Sequence, residues 1–415
     1  MVRQIIGYFS FIAIAYFLSS EKTELIKKHW KPITFGIILQ IFLVFLMTNV
    51  PVVIKGLESI ANGVMKLRDA TLEGTKFVFG YVGGGELPFD MKEGTSTFVF
   101  ALQTLPTIIL VSVLSAILTY LRIIPYLAKS IGYLFKKVFG VRNIIGMVSA
   151  SKIFLGQFEA PLLIKNHLAS ISKSEMFVIM SLAFSTASAS VMPIYASAIS
   201  NICPDAMTHI VISSVIGIVS TLIICIIMMP SLGNSVDENV SIASENIYPD
   251  FMSAVSKGTS DGAFVWWAIV GSLIGMVALI ALVNYMLEML PNVAGSSLTL
   301  QKIFGVIMYP FAWLLGTPNA DISAASEIIG TKFVLNEIIA FFDMAKSNMS
   351  KEGIITTIYA ITNFGNFACI GMTVGGLSAM CPSRSDIPSL SVKSFIAGSL
   401  ATGLTATLMS MSISW

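Results

Sequence analysis

An all-α integral membrane protein is the fold class this sequence predicts. Three observations predict it: a shortage of charge, apolar blocks of spanning length, and polar insertions that recur at matching places. Only 12% of the 415 residues are charged and 55% are apolar, with a mean hydropathy of +0.83. An ordinary soluble domain carries roughly a quarter charged residues. Apolar blocks run over 4–19, 33–50, 98–120, 175–199, 209–230, 263–290, 354–380 and 391–413. They match the length a helix needs to cross a bilayer, about 18 residues, so about eight transmembrane helices are expected.

The same composition excludes other classes. A net charge of +2 gives no concentrated basic face, so no nucleic-acid partner is expected. Cys203, Cys225, Cys369 and Cys381 show no metal spacing, and His29, His167 and His209 are far apart. No metal and no cofactor is expected. An intramembrane enzyme would need a nucleophile–base pair or metal ligands within the membrane, and the pattern offers neither.

Taken in order, the first block lies in "MVRQIIGYFSFIAIAYFLSS". It has the basic start of a signal peptide but no clear small-x-small cleavage site, and is expected to remain as a helix. Charges in short loops set orientation. With the N-terminus outside, Lys22, Lys27, Lys28 and Lys31 are cytoplasmic, as are Arg122, Lys129, Lys136, Lys137 and Arg142. The C-terminus then lies outside too. In the outer segment 51–97, Ile54, Leu57, Ala61, Val64 and Leu67 form one face of an amphipathic helix lying on the interface. Residues 231–262 read as a polar, acid-leaning cytoplasmic linker. Residues 1–142 are expected as scaffold helices, 143–230 as a first repeat, 263–300 as a scaffold helix with an outer connection, and 301–415 as a second repeat.

The repeat rests on spacing. Glu159 lies in "GQFEAP" and Glu337 in "LNEIIA"; Thr186 and Phe364 each follow their glutamate by 27 positions. A glutamate-bearing segment, a polar-interrupted helix and a plain helix thus occur twice, at an offset of 178. Such repeats, often of inverted topology, mark secondary transporters with sites near the midplane between broken helices.

Backbone groups in lipid must be paired, so non-helical chain survives there only inside protein or lining a cavity. Gly156 and Pro161 bracket Gln157 and Glu159, which suits a helical hairpin entering near Arg142, turning at 156–161 and leaving near Lys165. Arms of about a dozen residues reach roughly 18 Å, too short to cross. A second hairpin is expected from Gln301, turning at "GTPNAD" (316–321) and returning through Glu337. Both glutamates would face one wet pocket. Ser185, Ser188 and Ser190 read more simply as hydrogen-bonding neighbours of adjacent helices. An ionisable group in a membrane is usually functional, and Asn366, beside Gly365 in a bent helix, joins the two glutamates as a candidate.

At these residues the sequence resembles the concentrative nucleoside transporter family. The matching pieces are "LPTIIL" (105–110), "GQFEAP" (156–161), "FSTASASV" (184–191), "YPFAWLLGTP" (309–318), "TKFVLNEIIA" (331–340) and "FGNFACIG" (364–371), in family order over nearly the whole chain. The pattern in 184–191 is most similar to bacterial proton-coupled nucleoside permeases. The resemblance implies eight transmembrane helices, two re-entrant hairpins, a homotrimer, and a static scaffold around an elevator-like transport domain in the inner membrane. It also implies that Gln157, and less directly Glu159, contact the nucleobase, and that Glu337 and Asn366 bind ribose hydroxyls. By the same likeness Val191 lines the base pocket and Phe364 packs beside the substrate, uridine or another pyrimidine nucleoside, with purine nucleosides also possible substrates.

Three residues depart from the family pattern. Phe158 stands where a small hydroxyl residue is usual, and Cys369 where serine is usual. Lys152 stands where sodium-using members place an asparagine ligand, about 15 Å along the arm from Arg142 by helical rise. Its ammonium is expected to fill the sodium position, leaving a proton as the coupling ion, carried by Glu159 or Glu337. Thr186, in the sodium-site region, is a further coupling candidate. A sodium-coupled symporter and a nucleobase carrier are the alternatives.

Overall fold

The computed structural model describes residues 2–22, 29–91, 97–157, 159–234, 248–291 and 297–413. Among these residues all regular structure is helical. The first two apolar blocks form α1 (Val2–Phe17) and α2 (Trp30–Asn49). Pro51 opens α3 (Pro51–Phe79) in its first turn, where a missing N–H leaves no bond unmade. Its expected apolar stripe faces inward: Leu57 and Ala61 are buried, and Ile54, Val64 and Leu67 are half-buried. Pro106 divides the third block into a turn at Phe100–Gln103 and α4 (Thr107–Tyr120). The amphipathic α5 (Ile123–Phe139) follows, with Lys136 and Lys137 in its last turn.

The first repeat consists of α6 (Asn143–Ser151), a single turn at Glu159–Leu162, α7 (Lys173–Ser185), α8 (Met192–Ala198) and α9 (Ala206–Met228). Two connecting helices come next, α10 (Phe251–Leu287) and α11 (Leu300–Leu314). The second repeat consists of α12 (Ile322–Val334), α13 (Glu337–Ala345), α14 (Lys351–Ile361), α15 (Phe367–Met380) and α16 (Asp386–Ile413). Among the described residues five segments are long and apolar enough to cross a membrane: Trp30–Asn49, Phe100–Tyr120, Ala206–Met228, Phe251–Leu287 and Asp386–Ile413. The blocks at 175–199 and 354–380 are broken, between α7 and α8 and between α14 and α15.

The repeat extends to the helix caps. Ser172 and Ser350 stand at the same offset as the two glutamates, and each caps its helix. Their hydroxyls accept from the N–H groups of Glu175 at 3.2 Å and Gly353 at 3.1 Å, using a donor that every helix start leaves free. Each cap is also tied to the hairpin before it. Arg142 pairs with the fully buried Glu175 at 3.4 Å, and Ser350 donates its hydroxyl to Asp321 at 2.5 Å.

Among the spans, α9 and α16 are the most enclosed and α10 has the smallest share of buried residues. A buried polar thread crosses the centre: Tyr8 donates to Gln40 at 2.8 Å, Gln40 to Ser220 at 2.6 Å, and Ser220 meets Thr405 at 2.7 Å. Bonds of this kind fasten helices that lack a hydrophobic drive to associate in lipid.

Three expectations need correction. The linker placed at 231–262 ends earlier, because residues 251–262 already belong to α10. Asp250 caps that helix, accepting from Ser253 N–H at 2.8 Å. Ala254, Gly258 and Gly262, four apart, then let it lie directly on α4: a Cβ on Gly258 or Gly262 would meet Val113 Cα at 2.8 Å or Ile109 Cα at 2.6 Å. Small residues at this spacing admit close backbone approach.

The second correction concerns hairpin 2. Residues 316–321 do turn, but that turn joins α11 to α12 and corresponds to the link between α5 and α6. The counterpart of the first tip is Leu335–Asn336, where Leu335 leaves helical geometry (φ −95°, ψ −94°) and Asn336 caps α13. Glu337 therefore starts an arm instead of lying within one. Third, the return arm of hairpin 1 is not a dozen-residue helix. It is the turn Glu159–Leu162 followed by a short 3-10 turn at Lys165–His167.

Candidate functional site

Several helix ends meet at the second tip. Asn336 accepts from Ile339 N–H at 3.0 Å, which starts α13 with Glu337 in first position. Unpaired N–H groups and the positive end of the helix dipole favour a carboxylate there. The Glu337 side chain is buried. Tyr195, in α8 of the other repeat, donates to Oε1 at 2.9 Å, and Asn366 Nδ2 donates to Oε2 at 3.0 Å. Asn366 caps α15, its Oδ1 accepting from Cys369 N–H at 2.9 Å. That bond fixes which end of the amide faces the carboxylate. Tyr195 is held flat on Phe341, with ring centroids 4.8 Å apart.

Lys332 lies five residues before Glu337, in the last turn of α12. It is wholly buried, and its Nζ has no hydrogen-bond partner among the described residues. The nearest aromatic face is Phe333, whose ring centroid is 4.4 Å away.

The first tip is looser. Lys152 follows the last residue of α6, is 2% exposed, and also has an Nζ without a hydrogen-bond partner among the described residues. Glu159 is half-buried and accepts from Gly156 N–H at 2.5 Å. Gln157 Oε1 is buried and accepts no hydrogen bond among the described residues. Phe158 lies outside the described residues.

The structure gathers Glu337, Asn366 and Cys369 as expected and adds Tyr195 and Lys332. It joins Glu159 and Glu337 by no hydrogen bond. Each closes on its own neighbours, and the first break with the helix after it touches both tips: a Cβ on Gly156 would lie 3.6 Å from Ser188 Cβ, while Tyr195 bonds Glu337. At the second tip Glu337 is buried. Val191 is buried at the start of α8, and Phe364 is half-buried in the second break. Thr186 is buried, with its hydroxyl donated to Leu182 O at 2.8 Å. Ser185 and Ser188 have ordinary neighbours in Thr221 and Ser190.

Lys332, like Lys152, is a cation in an apolar hairpin arm, a signal that could have found it. Tyr195 carried no signal, since a tyrosine in an apolar helix ordinarily packs. Elsewhere, Cys203, Asp205 and His209 form a closed group at the head of α9. The Cys203 thiol meets Asp205 at 3.2 Å, and His209 faces Asp205 at 3.3 Å and Tyr359 of α14 at 2.9 Å.

The chain matches known transporters along nearly its whole length. Family profiles described as the Na+ dependent nucleoside transporter N-terminus and C-terminus match residues 6–82 and 209–410, and one described as nucleoside recognition matches 101–202. An uncharacterized transporter of Haemophilus influenzae is 30% identical over 100% of this chain and 98% of its own. The nucleoside permease NupC of Helicobacter pylori is 27% identical over 99% of this chain and 97% of its own. The solved structure of CNTnw in an inward-facing substrate-bound state superposes with a TM-score of 0.87 at 27% identity, covering 99% of this chain and 98% of that one. These relatives are transporters, not enzymes. The chain is a membrane protein of the concentrative nucleoside transporter family.

Proposed function

We propose that this protein imports nucleosides across the cytoplasmic membrane as a proton-coupled secondary transporter, taking uridine or another pyrimidine nucleoside and purine nucleosides as further substrates. The observation that carries this reading is the buried Glu337 carboxylate held between Tyr195 and Asn366. Each carboxylate oxygen uses one lone pair on these donors and keeps another, enough for two ribose hydroxyls. Asn366 keeps a second amide hydrogen for a sugar oxygen. A site built to bond a hydroxyl strongly rejects a ligand that lacks it. Gln157, with its carbonyl unbonded, takes the base edge together with Glu159, beside Val191 and Phe364. Cys369 offers a weaker contact than a hydroxyl would.

In this proposal Lys152 replaces the coupling sodium. Its buried ammonium has no hydrogen-bond partner among the described residues, and the Thr186 hydroxyl is already bonded to its own helix. Proton coupling falls to Glu159 or Glu337. A Glu→Gln series assayed against external pH identifies the carrier as the variant that loses pH dependence. An elevator-like movement of the hairpins and broken helices, a homotrimer, and both termini outside belong to the same proposal.

A second reading, sodium coupling, is favoured by the Na+ dependent description of the matching profiles. Uptake of uridine and adenosine into proteoliposomes, under a pH gradient or a sodium gradient imposed separately, decides between the two. The proposal predicts accumulation with the pH gradient alone. Sodium-dependent uptake at normal affinity would end it.

A further inference from the structure

We infer that Lys332 is a tethered cation that joins the broken ends of the two repeats and thereby positions Glu337. The inference rests on the proposed role of Glu337 as the ribose-binding carboxylate. An ammonium inside a membrane bundle is rare and is ordinarily paired or functional. Lys332 has no exposed surface, and its three donors are all unused among the described residues.

What surrounds it supplies the role. A Cβ on Gly365 would lie 3.1 Å from Lys332 Nζ, 2.9 Å from Asn363 Oδ1 and 3.0 Å from Phe184 O. One ammonium and two oxygens therefore ring a single point that only a glycine leaves open. The oxygens come from different repeats. Phe184 is in the last turn of α7, where carbonyls lack intrahelical partners and carry the negative end of the helix dipole. Asn363 belongs to the second break, its Oδ1 accepting from Gly365 N–H at 3.0 Å. Glu337 starts α13 five residues after Lys332, and Asn366, next to Gly365, donates to its carboxylate at 3.0 Å.

Without the cation, a carbonyl end, an amide oxygen and a carboxylate would share a buried junction with no positive charge among them. Lys332 supplies that charge on a fixed tether, from the same turn of chain that leads into Glu337. Lys152 stands alike at the end of α6 in the first repeat, so each inbound arm ends in a buried ammonium. Lys332 touches neither solvent nor, on this reading, the substrate. It is a positioning residue.

The test uses purified full-length protein and equilibrium binding of labelled uridine. Lys332→Met keeps most of the stem and deletes the charge, while Lys332→Ala leaves a hollow that a small free cation can enter. Lys332→Met is expected to bind uridine about thirtyfold more weakly or worse, the scale for removing one member of a buried charge pair. Added ethylammonium should restore part of the binding in Lys332→Ala and none in Lys332→Met or the wild type. Wild-type affinity in Lys332→Met overturns the inference, whether or not the alanine variant folds. So does a folded Lys332→Ala, judged by its melting temperature, that binds weakly and is not rescued. A wild type that binds no nucleoside overturns the ribose-site reading itself, and the inference with it.

Discussion

At the second hairpin tip, Glu337 accepts from side chains of two other elements, Tyr195 of α8 and Asn366 at the head of α15. At the first tip, Glu159 turns back on its own hairpin and accepts from Gly156 N–H. Both arms end in a buried lysine and both return with a glutamate, so cations sit at carboxyl ends and anions at amino ends, as helix dipoles favour. The difference lies in reach. The second tip is braced across the repeats and buried, whereas the first is half-buried and leaves the Gln157 carbonyl unbonded. A braced carboxylate suits the invariant part of a ligand, the sugar. A looser amide suits the part that varies, the base.

That contrast can be broken most directly by neutralising each acid. Glu337→Gln is expected to lower initial uridine uptake by about a hundredfold or more, the loss expected when a buried polar site no longer matches its ligand's hydroxyls. Glu159→Gln should cost about tenfold, on the scale of one charge-assisted hydrogen bond. Equal losses in radiolabelled uptake would erase the distinction. The lysines sharpen it next: Lys152→Asn should make uptake respond to external sodium, and an unresponsive variant would remove Lys152 from the coupling account.

Tyr195→Phe deletes a single cross-repeat bond to a carboxylate. It should weaken uridine binding by about tenfold, equivalent to about 1.5 kcal/mol, with little change in melting temperature. A smaller structural effect is expected at Arg384. It donates to Leu168 O at 3.1 Å and Ile171 O at 2.5 Å while holding Asp386 at 2.5 Å and 2.9 Å. The guanidinium thus ties the chain after hairpin 1 to the second repeat. Arg384→Met should destabilise by about 1 kcal/mol, read as a lower midpoint in thermal unfolding, with uridine affinity retained.

The smallest expected effect is at Asp205, outside both tips. The His209 bond, with help from Cys203, holds its carboxyl below the usual aspartate range. A lowered folded-state value stabilises above the unfolded value, near ~4, and that contribution disappears as pH falls toward the folded one. Wild-type protein should lose more melting temperature than Asp205→Asn between pH 6 and pH 3, with identical slopes contradicting the assignment.

Particular residues show what was legible in the sequence. The two breaks were readable because Ser185–Ser190 and Asn363–Asn366 interrupt apolar text at equal distances from a glutamate. Glu337 and Asn366 were readable because charge and amide are costly in lipid. The tip of hairpin 2 was not, because Gly316 and Pro318 give a stronger turn signal than Leu335–Asn336. An asparagine that caps a helix looks, in sequence, like any other polar residue. The start of α10 was hidden as well, since Ala254, Gly258 and Gly262 read as linker composition until α4 is laid against them. Tyr195 meets Glu337 only through folding, across 142 positions of chain.

The central claim is that Glu337 reads the ribose. Its most direct test is equilibrium binding of uridine and 3′-deoxyuridine to the wild type and to Glu337→Gln, taken as a double-mutant cycle. The account predicts a strong preference for uridine in the wild type that largely collapses in the variant, because the lost hydroxyl and the lost carboxylate are the same contact. A preference that survives unchanged in Glu337→Gln would contradict it.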